Sequence, residues 1–170
     1  MPVMCIMCGL AFAGKTTVAR ALAVRLGART VSLDEINAER GLFGGQGLPV
    51  EEWERSHRVA LARADRLLQR RVSTVIDDTS CFRWLRDRYR EVGSRRGCDV
   101  VVVLVATPLD EALRRLDANA ATGERHGVRP EILEALARTF EAPGPDEPTV
   151  AFAPGEPLET WLERHFPAAT

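Results

Sequence analysis

The chain has 170 residues and a mass of 18.8 kDa, which suits one globular domain with a sizeable core. Hydrophobic residues make up 45% and charged residues 28%, which excludes collagen-like, disordered and disulfide-scaffold proteins. A net charge of −1 gives no overall field that would favour a nucleic acid or a membrane surface. We therefore expect a single domain over residues 1–170 with no membrane partner.

Three features of the sequence bear on its location. The longest apolar run, residues 100–106, is the length of a strand and too short to cross a membrane. The apolar N-terminal stretch lacks a basic leader, so we expect no signal peptide. Four cysteines in such a chain fit a reduced protein better than a secreted one. We therefore expect a cytoplasmic protein.

The first half of the chain alternates short apolar runs with segments of helical periodicity. Strands are predicted over residues 3–8 and 30–33, and helices over residues 15–26, 35–40 and 50–71. A glycine-rich loop, residues 41–47, precedes the last of these helices. That helix is amphipathic, and its predicted buried stripe includes Trp53 and His57.

The second half continues the same alternation. Strands are predicted over residues 72–76, 100–106 and 149–153, and helices over residues 82–92, 108–120, 130–140 and 158–166. Residues 100–106 are apolar throughout, which is typical of a strand buried on both faces of a parallel sheet. We expect Thr107 to cap the following helix, with Pro108 in its first turn. The whole pattern predicts a three-layer α/β/α domain with a five-stranded parallel sheet.

Residues 9–17 read GLAFAGKTT and match the phosphate-binding pattern G-x-x-x-x-G-K-[ST]. They follow a predicted strand and open a predicted helix, so backbone N–H groups and the helix N-terminus can face one anion. All 23 basic residues are arginines except Lys15, which can reach the β- and γ-phosphates of ATP. Thr16 offers a hydroxyl to Mg²⁺. The predicted ATP-binding residues of this loop are Gly9, Ala11, Phe12, Ala13, Gly14, Lys15, Thr16 and Thr17.

The cysteines and histidines give no metal or redox site. Cys5 and Cys8 are three apart in a predicted strand, so their side chains point to opposite faces. Cys81 and Cys98 lack the spacing of zinc ligands, and the histidines are scattered along the chain. We interpret all seven as packing residues: Cys5, Cys8, Cys81, Cys98, His57, His126 and His165.

Carboxylates follow two of the predicted strands. Asp34 ends the second strand, at the sheet edge where ligands bind in open parallel sheets, and could take a proton from an attacking hydroxyl. It could also simply cap the helix over residues 35–40. Asp77 and Asp78 follow the third strand, and alternation turns only one of them toward the nucleotide. Our hypothesis gives Asp77 the metal and Asp78 the acceptor.

A polar, helix-breaking segment late in the chain predicts a lid, at about residues 114–130. It carries Arg114, Arg115 and Arg125, and such a segment could fold over ATP and bring an arginine to the developing phosphate charge. We assign Arg115 to the nucleotide and Arg125 to catalysis. The alternative is a solvent-exposed helix face, since arginine is the usual surface cation of this chain.

Taken together, these residues resemble the small P-loop kinases, especially the polynucleotide 5′-hydroxyl kinase-like group. Seryl-tRNA kinases, zeta toxins and chloramphenicol phosphotransferase are looser relatives. The resemblance rests on residues 9–17, on residues 32–34, on residues 77–83, on the lid, and on residues 139–143. This last segment, TFEAP, is similar to the F-E-x-P segment of the seryl-tRNA kinase relatives.

The resemblance implies a sheet of order 2-3-1-4-5. It also implies that Asp34 is the general base and that Arg40 holds the acceptor. Adenine would lie between the start of the lid and residues 154–157. By its position in the sequence, an acceptor pocket would be lined by Asp34, Arg40, the loop at residues 41–47, Trp53, Asp78 and Arg83.

The predicted function is ATP- and Mg²⁺-dependent transfer of the γ-phosphate to a hydroxyl of a small molecule, such as a nucleoside, a sugar or an antibiotic. A nucleic acid is a possible acceptor but is not favoured, because no basic patch or aromatic-rich strip stands out. The alternatives are a 5′-hydroxyl polynucleotide kinase, a nucleoside monophosphate kinase and a P-loop NTPase that regulates a partner.

Overall fold

The computed structural model describes residues 1–42, 48–123 and 127–167. Within these ranges the chain forms five strands and seven helices in alternating order. The strands are β1 (Val3–Cys8), β2 (Arg29–Ser32), β3 (Thr74–Asp77), β4 (Asp99–Val105) and β5 (Thr149–Phe152). The helices are α1 (Lys15–Leu26), α2 (Leu33–Glu39), α3 (Val50–Gln69), α4 (Arg83–Arg96), α5 (Leu109–Thr122), α6 (Pro130–Thr139) and α7 (Leu158–His165).

The strands form one parallel sheet in the order β2-β3-β1-β4-β5. This confirms both the predicted α/β/α class and the strand order 2-3-1-4-5. Strand β1 is the third of the five strands and is buried on both faces. Because it is central, its C-terminal end lies at the middle of one sheet edge. No helix among the described residues combines the length and apolar character that a membrane crossing would need.

The two faces of β1 belong to two separate core layers. Cys5 and Met7 point into a layer that α1 and α7 close, with Leu22 and Trp161 among its fully buried residues. Met4 and Ile6 point into the opposite layer, which α3 and α4 close. The alternating side chains of a single strand thus anchor helices on both sides of the sheet.

A third apolar cluster lies at the sheet edge. Leu10, which follows β1, packs with Leu116 of α5 and Leu133 of α6, and Phe12 packs against the same group. Helix α5 carries the first part of the predicted lid, α6 follows the lid, and both helices pack against residues 10–12. Burial of these side chains holds both helices next to the loop that follows β1.

The predicted cap at Thr107 was wrong, and the alternative role of Asp34 as a helix cap does not hold either. Asp34 lies in the first turn of α2, and the hydroxyl of Ser32 accepts the N–H of Glu35 at 3.4 Å as the cap. Thr107 does not cap α5, which begins at Leu109. Its hydroxyl instead donates to the carbonyl oxygen of Ala13 at 2.8 Å, because the tertiary fold brings that carbonyl within reach.

Candidate active site

The loop after β1 is held by its backbone at Gly9. The N–H of Gly9 donates to the carbonyl of Thr79 at 3.0 Å, which joins the loop to the segment after β3. With φ of +151°, a Cβ on Gly9 would lie 2.8 Å from the carbonyl oxygen of Val105. Glycine is required here because the loop passes directly over the end of β4.

The loop ends at Gly14, whose φ of +97° turns the chain into α1. The N–H groups of Thr17 and Val18 donate to the Gly14 carbonyl, so the helix starts at once. Phe12 also has a positive φ, of 60°, although it is not a glycine. The N-terminal end of α1 therefore lies at the loop, where its positive dipole end favours an anion.

Lys15 spans the loop from the first residue of α1. Its Nζ donates to the carbonyl oxygen of Leu10 at 2.6 Å, and its side chain is only 8% exposed. The ammonium group is thus held against the loop backbone. This is the position that the sequence pattern predicts for a phosphate-binding lysine.

The carbonyl of Ala13 receives two donors from the neighbouring layer. Thr107 donates its hydroxyl at 2.8 Å, and Arg115 donates from Nη1 at 3.0 Å. The Nε of Arg115 donates to Glu111 at 2.8 Å, which fixes the guanidinium along α5. Arg115 therefore lies at the loop, and its predicted contact with a nucleotide stays a prediction.

Asp77 and Thr16 meet at the end of β3. The Thr16 hydroxyl lies close enough to the Asp77 carboxylate to lower its pKa as a hydrogen-bond donor. Burial raises the pKa of the Asp77 carboxyl, the charges of Asp34 and Asp78 raise it further, and Thr16 and Lys15 oppose this. A hydroxyl and a carboxylate are oxygen donors of the kind Mg²⁺ prefers, so these two residues fit the predicted metal.

Asp34 lies close to this pair. Ser32 is the register partner of Asp77 across β2 and β3, and Asp34 follows two residues later in α2. The charge of Asp34 acts on Asp77, while its own side chain is exposed to solvent. A solvent-accessible carboxylate therefore lies beside the phosphate-binding loop.

Asp78 faces the other way, as alternation along β3 predicted. Its Oδ1 accepts the N–H of Thr79 at 2.7 Å, and its Oδ2 lies 3.7 Å from Nε2 of His57. His57 is on α3 and is 1% exposed. Burial lowers the pKa of the His57 imidazole; the charge of Asp78 opposes this shift and that of Arg88 adds to it.

Aromatic side chains extend from this pair toward the surface. The Trp53 ring lies 4.0 Å from that of His57 and 5.6 Å from that of Trp84, between centroids. Phe82 stacks on Trp84 at 6.5 Å, and Trp84 is 41% exposed. His57, Phe82 and Trp84 were not predicted as site residues. His57 follows Trp53 by one turn on the buried stripe of α3, which was the available signal.

The two arginines predicted to bind the acceptor have protein partners. Arg40 donates to the Glu52 carbonyl at 2.7 Å and to Ser56 Oγ at 2.5 Å, and it pairs with the Glu52 carboxylate. Arg83 makes two hydrogen bonds to Asp146, of 2.9 and 2.6 Å. Their acceptor contacts stay predictions, and both side chains also hold structure.

Two other arginines of the prediction are on the lid. Arg114 pairs with Glu111, at 2.7 Å, and with Asp110, both on its own helix. Arg125, the predicted catalytic arginine, lies outside the described residues, as do His126 and residues 43–47 of the glycine-rich loop. The lid's boundaries and its catalytic role stay predictions.

Sequence reasoning also missed Arg86, which is fully buried and supports the site. It donates to both carboxylate oxygens of Glu147, and its Nη1 donates to the carbonyls of Ser80 and Glu141, each at 2.9 Å. The available signal was its place between Leu85 and Tyr89 on the buried face of α4. This network joins residues 141–147 to the segment after β3.

The loop, the sheet order and the position of Asp77 define a P-loop protein with the fold of the small kinases. A family profile described as AAA domain matches residues 4–143, and the chain belongs to this family. A search of curated proteins gives no match.

Solved structures share the fold at low sequence identity. Chaetomium thermophilum Kti12 in complex with ADP-AlF3 has a TM-score of 0.77 and 15% identity, covering 98% of this chain and 99% of that one. A sugar kinase from Janibacter sp. has a TM-score of 0.69 and 23% sequence identity, and the match covers 100% of this chain and 99% of that one. Mycobacterium tuberculosis APS kinase in complex with AMPPNP and APS has a TM-score of 0.65 and 22% sequence identity, and the match covers 96% of this chain and 95% of that one.

Proposed function

We propose that the protein is a phosphotransferase that moves the γ-phosphate of ATP to a hydroxyl of a small molecule. One observation carries the proposal: the exposed carboxylate of Asp34 lies beside the Asp77–Thr16 pair at the phosphate-binding loop. A loop of this kind alone serves hydrolases and switches as well as kinases. A carboxylate available to a second substrate distinguishes a kinase that acts on alcohols.

The loop residues bind and orient the triphosphate. The backbone of residues 9–17 curves around the phosphates, the N-terminus of α1 faces them, and Lys15 adds a point charge. Thr16 and Asp77 would hold Mg²⁺, which supplies charge neutralisation on the phosphate oxygens when bound. Transfer of a phosphoryl group depends mainly on such positioning and charge stabilisation.

Asp34 acts on the acceptor. Its carboxylate accepts the proton as the hydroxyl oxygen bonds to the γ-phosphorus, and the bond from that phosphorus to the β–γ bridging oxygen breaks to release ADP. Asp34 is exposed and belongs to the short helix α2, so an incoming alcohol can reach it. An arginine of the lid, Arg115 or Arg125, would stabilise the charge on the transferred group.

The acceptor side favours a small molecule over a nucleic acid strand. Arg40 is paired with Glu52, and Arg83 is paired with Asp146. The acceptor side therefore presents aromatic rings and carboxylates more than a row of unpaired cations. A strand of nucleic acid draws most of its affinity from contacts to phosphates. The likeness to a sugar kinase and to APS kinase agrees with a small acceptor.

A regulatory P-loop NTPase is the second candidate. The phosphate-binding loop serves such a protein equally well, because it binds a nucleotide whether or not a second substrate is present. Such a protein would hydrolyse ATP in response to a partner and would need no acceptor pocket. It would also tolerate the loss of Asp34 better than a kinase would.

The test is a panel of acceptors incubated with γ-labelled ATP, Mg²⁺ and the protein. Neutral sugars, nucleosides, aminoglycosides, nucleoside monophosphates and 5′-hydroxyl oligonucleotides form the arms. Transfer of label to a small alcohol supports the proposal, and transfer only to the oligonucleotide supports a polynucleotide kinase. Transfer only to a monophosphate supports a nucleoside monophosphate kinase. Hydrolysis without transfer in every arm supports the regulatory candidate.

A further inference from the structure

Four buried polar atoms in this region have no hydrogen-bond partner among the residues that the structure describes. They are Nε2 of His57, Oδ2 of Asp78, Oγ of Ser80 and Oη of Tyr89. Asp78 lies close enough to Tyr89 for its charge to act on the phenol. Buried polar groups are nearly always hydrogen-bonded, since leaving one unpaired is costly. These atoms therefore indicate a place for oxygen atoms that do not belong to the chain.

The spacing of the first two atoms suits a hydroxyl group. Nε2 of His57 and Oδ2 of Asp78 are 3.7 Å apart, which is too long for a direct hydrogen bond. One oxygen between them can donate to the carboxylate and accept from the imidazole. The other oxygen of Asp78 already accepts the N–H of Thr79, so Oδ2 is the atom available to a ligand.

An aromatic wall connects these atoms to solvent. Trp53 contacts His57, Trp84 contacts Trp53 edge-on, and Trp84 is exposed at the surface. Ligand sites commonly combine aromatic walls with a few converging polar groups. A ring that carries hydroxyl groups satisfies both features, because its face covers the indoles while its hydroxyls reach the polar atoms.

Consecutive residues set the position of these polar atoms relative to the phosphate-binding loop. Asp78 follows Asp77, whose carboxylate lies close to the hydroxyl of Thr16, the second residue of α1. Adjacent Cα atoms are about 3.8 Å apart, but the two carboxylates turn to opposite sides of β3, so the two sites meet at the C-terminal end of that strand. A molecule of the size of a sugar can extend from one site toward the other.

We propose that the acceptor is a neutral, ring-bearing polyol, that its hydroxyls bind His57 and Asp78, and that its ring lies against Trp53 and Trp84. This proposal rests on the proposed phosphotransferase function and names its substrate class. His57 is the residue it adds to the site. Arg88, which lies 4.8 Å above the Trp84 ring, places a cation at the rim. A sugar acid is therefore included as a competing probe.

The first experiment measures binding to the intact protein loaded with ADP and Mg²⁺. D-ribose, D-glucose, uridine and D-gluconate are added separately while tryptophan emission and the histidine ring signals in NMR spectra are recorded. A neutral probe is expected to change the emission and to shift the His57 ring signal. The exposed His165 ring is the internal control and should not shift.

The second experiment uses variants and the neutral acceptor that binds. His57→Asn is expected to raise the KM for that acceptor about tenfold or more, because a buried hydrogen bond is lost, while the KM for ATP stays within about twofold. Trp84→Ala should also raise the acceptor KM, and Trp84→Phe should restore most of it. His165→Asn is the matched control.

The outcomes separate this proposal from the proposed function. Transfer to an alcohol with an unchanged acceptor KM in His57→Asn overturns the pocket and leaves the kinase standing. If a neutral probe binds and shifts the His57 ring signal, but no acceptor receives labelled phosphate, the proposed kinase activity is wrong and the proposed polyol site stands. If only gluconate binds, or if no probe shifts His57, the neutral polyol is the wrong class. Should His57→Asn fail to fold, the NMR shifts of the wild-type protein decide.

Discussion

Arg86 and Glu147 form an ion pair in which neither side chain has any exposure to solvent. Nε and Nη2 of Arg86 donate to the two carboxylate oxygens at 2.7 and 3.0 Å. The Arg86 guanidinium lowers the pKa of the Glu147 carboxyl, which stays ionised. The pair connects α4 to residues 141–147, next to the segment that follows β3.

Replacement of Arg86 is therefore expected to destabilise the protein strongly. Arg86→Met leaves the Glu147 carboxylate buried without its partner, at a cost of about 3–5 kcal/mol in the free energy of unfolding, measured with urea. The double variant Arg86→Met, Glu147→Gln should recover much of this loss. Arg83→Met, which breaks an exposed pair on the same helix, is the control and should cost far less. Equal losses for Arg86→Met and Arg83→Met would contradict this.

Lys15→Ala should abolish phosphoryl transfer while the protein stays folded. We expect a fall in kcat of about 100-fold or more, because a cation aimed at the phosphates is lost. The Nζ of Lys15 donates to the loop carbonyl of Leu10 and the side chain belongs to neither core layer, so the melting temperature without ligand should fall only slightly. Arg20→Ala, on the exposed face of α1, is the control. A large drop in the melting temperature would show that Lys15 is mainly structural.

Asp34→Asn distinguishes the kinase from the other candidates. Loss of a general base is expected to lower kcat by about 10²–10⁴ with little change in ATP binding. Glu35→Gln is the control, since Glu35 is the next residue and is equally exposed. Turnover close to that of the wild-type protein would leave a regulatory NTPase or a nucleoside monophosphate kinase as the better assignment.

The stability of the protein should fall on mild acidification, and His57 should account for part of the fall. Burial lowers the pKa of His57 below the ordinary value of 6.5, so the unfolded chain binds a proton that the folded chain does not. The contribution of the neutral His57 ring to the free energy of unfolding is complete above pH 6.5. It is lost as the pH falls from there toward the lowered pKa of His57. Two charged groups act on the pKa of His57: Asp78 raises it and Arg88 lowers it.

Melting temperatures measured from pH 8 to pH 5 test this for the wild-type protein and for His57→Asn. The variant should show a flatter profile below about pH 6.5. His165→Asn should follow the wild-type curve, because His165 is exposed. Parallel curves for His57→Asn and the wild-type protein would exclude a buried neutral imidazole.

Most of the fold could be predicted from local patterns. The apolar runs located all five strands within about two residues, and the loop pattern at residues 9–17 located the phosphate end of the site. Alternation along β3 predicted that Asp77 and Asp78 face opposite ways. These features depend on residues close together in the sequence, and a local pattern can therefore reveal them.

The acceptor side was harder because its contacts join distant parts of the chain. His57 is 21 residues from Asp78 in sequence, and nothing near His57 indicates that a carboxylate lies 3.7 Å from its ring. Arg40 and Arg83 were attractive as free cations, but Glu52 and Asp146 reach them through the tertiary fold. The same reason explains why Thr107 bonds to Ala13 and not to its own helix.

The apolar side chains of the phosphate-binding loop have an energetic consequence for the lid helices. Leu10 and Phe12 pack in the same cluster as Leu116 and Leu133, so opening α5 and α6 would uncover the loop's own apolar surface. Loop and helices therefore share one free energy of local opening and should exchange their amide hydrogens as one cooperative unit. A ligand that tightens the loop would slow exchange along both helices, although it touches neither of their far ends.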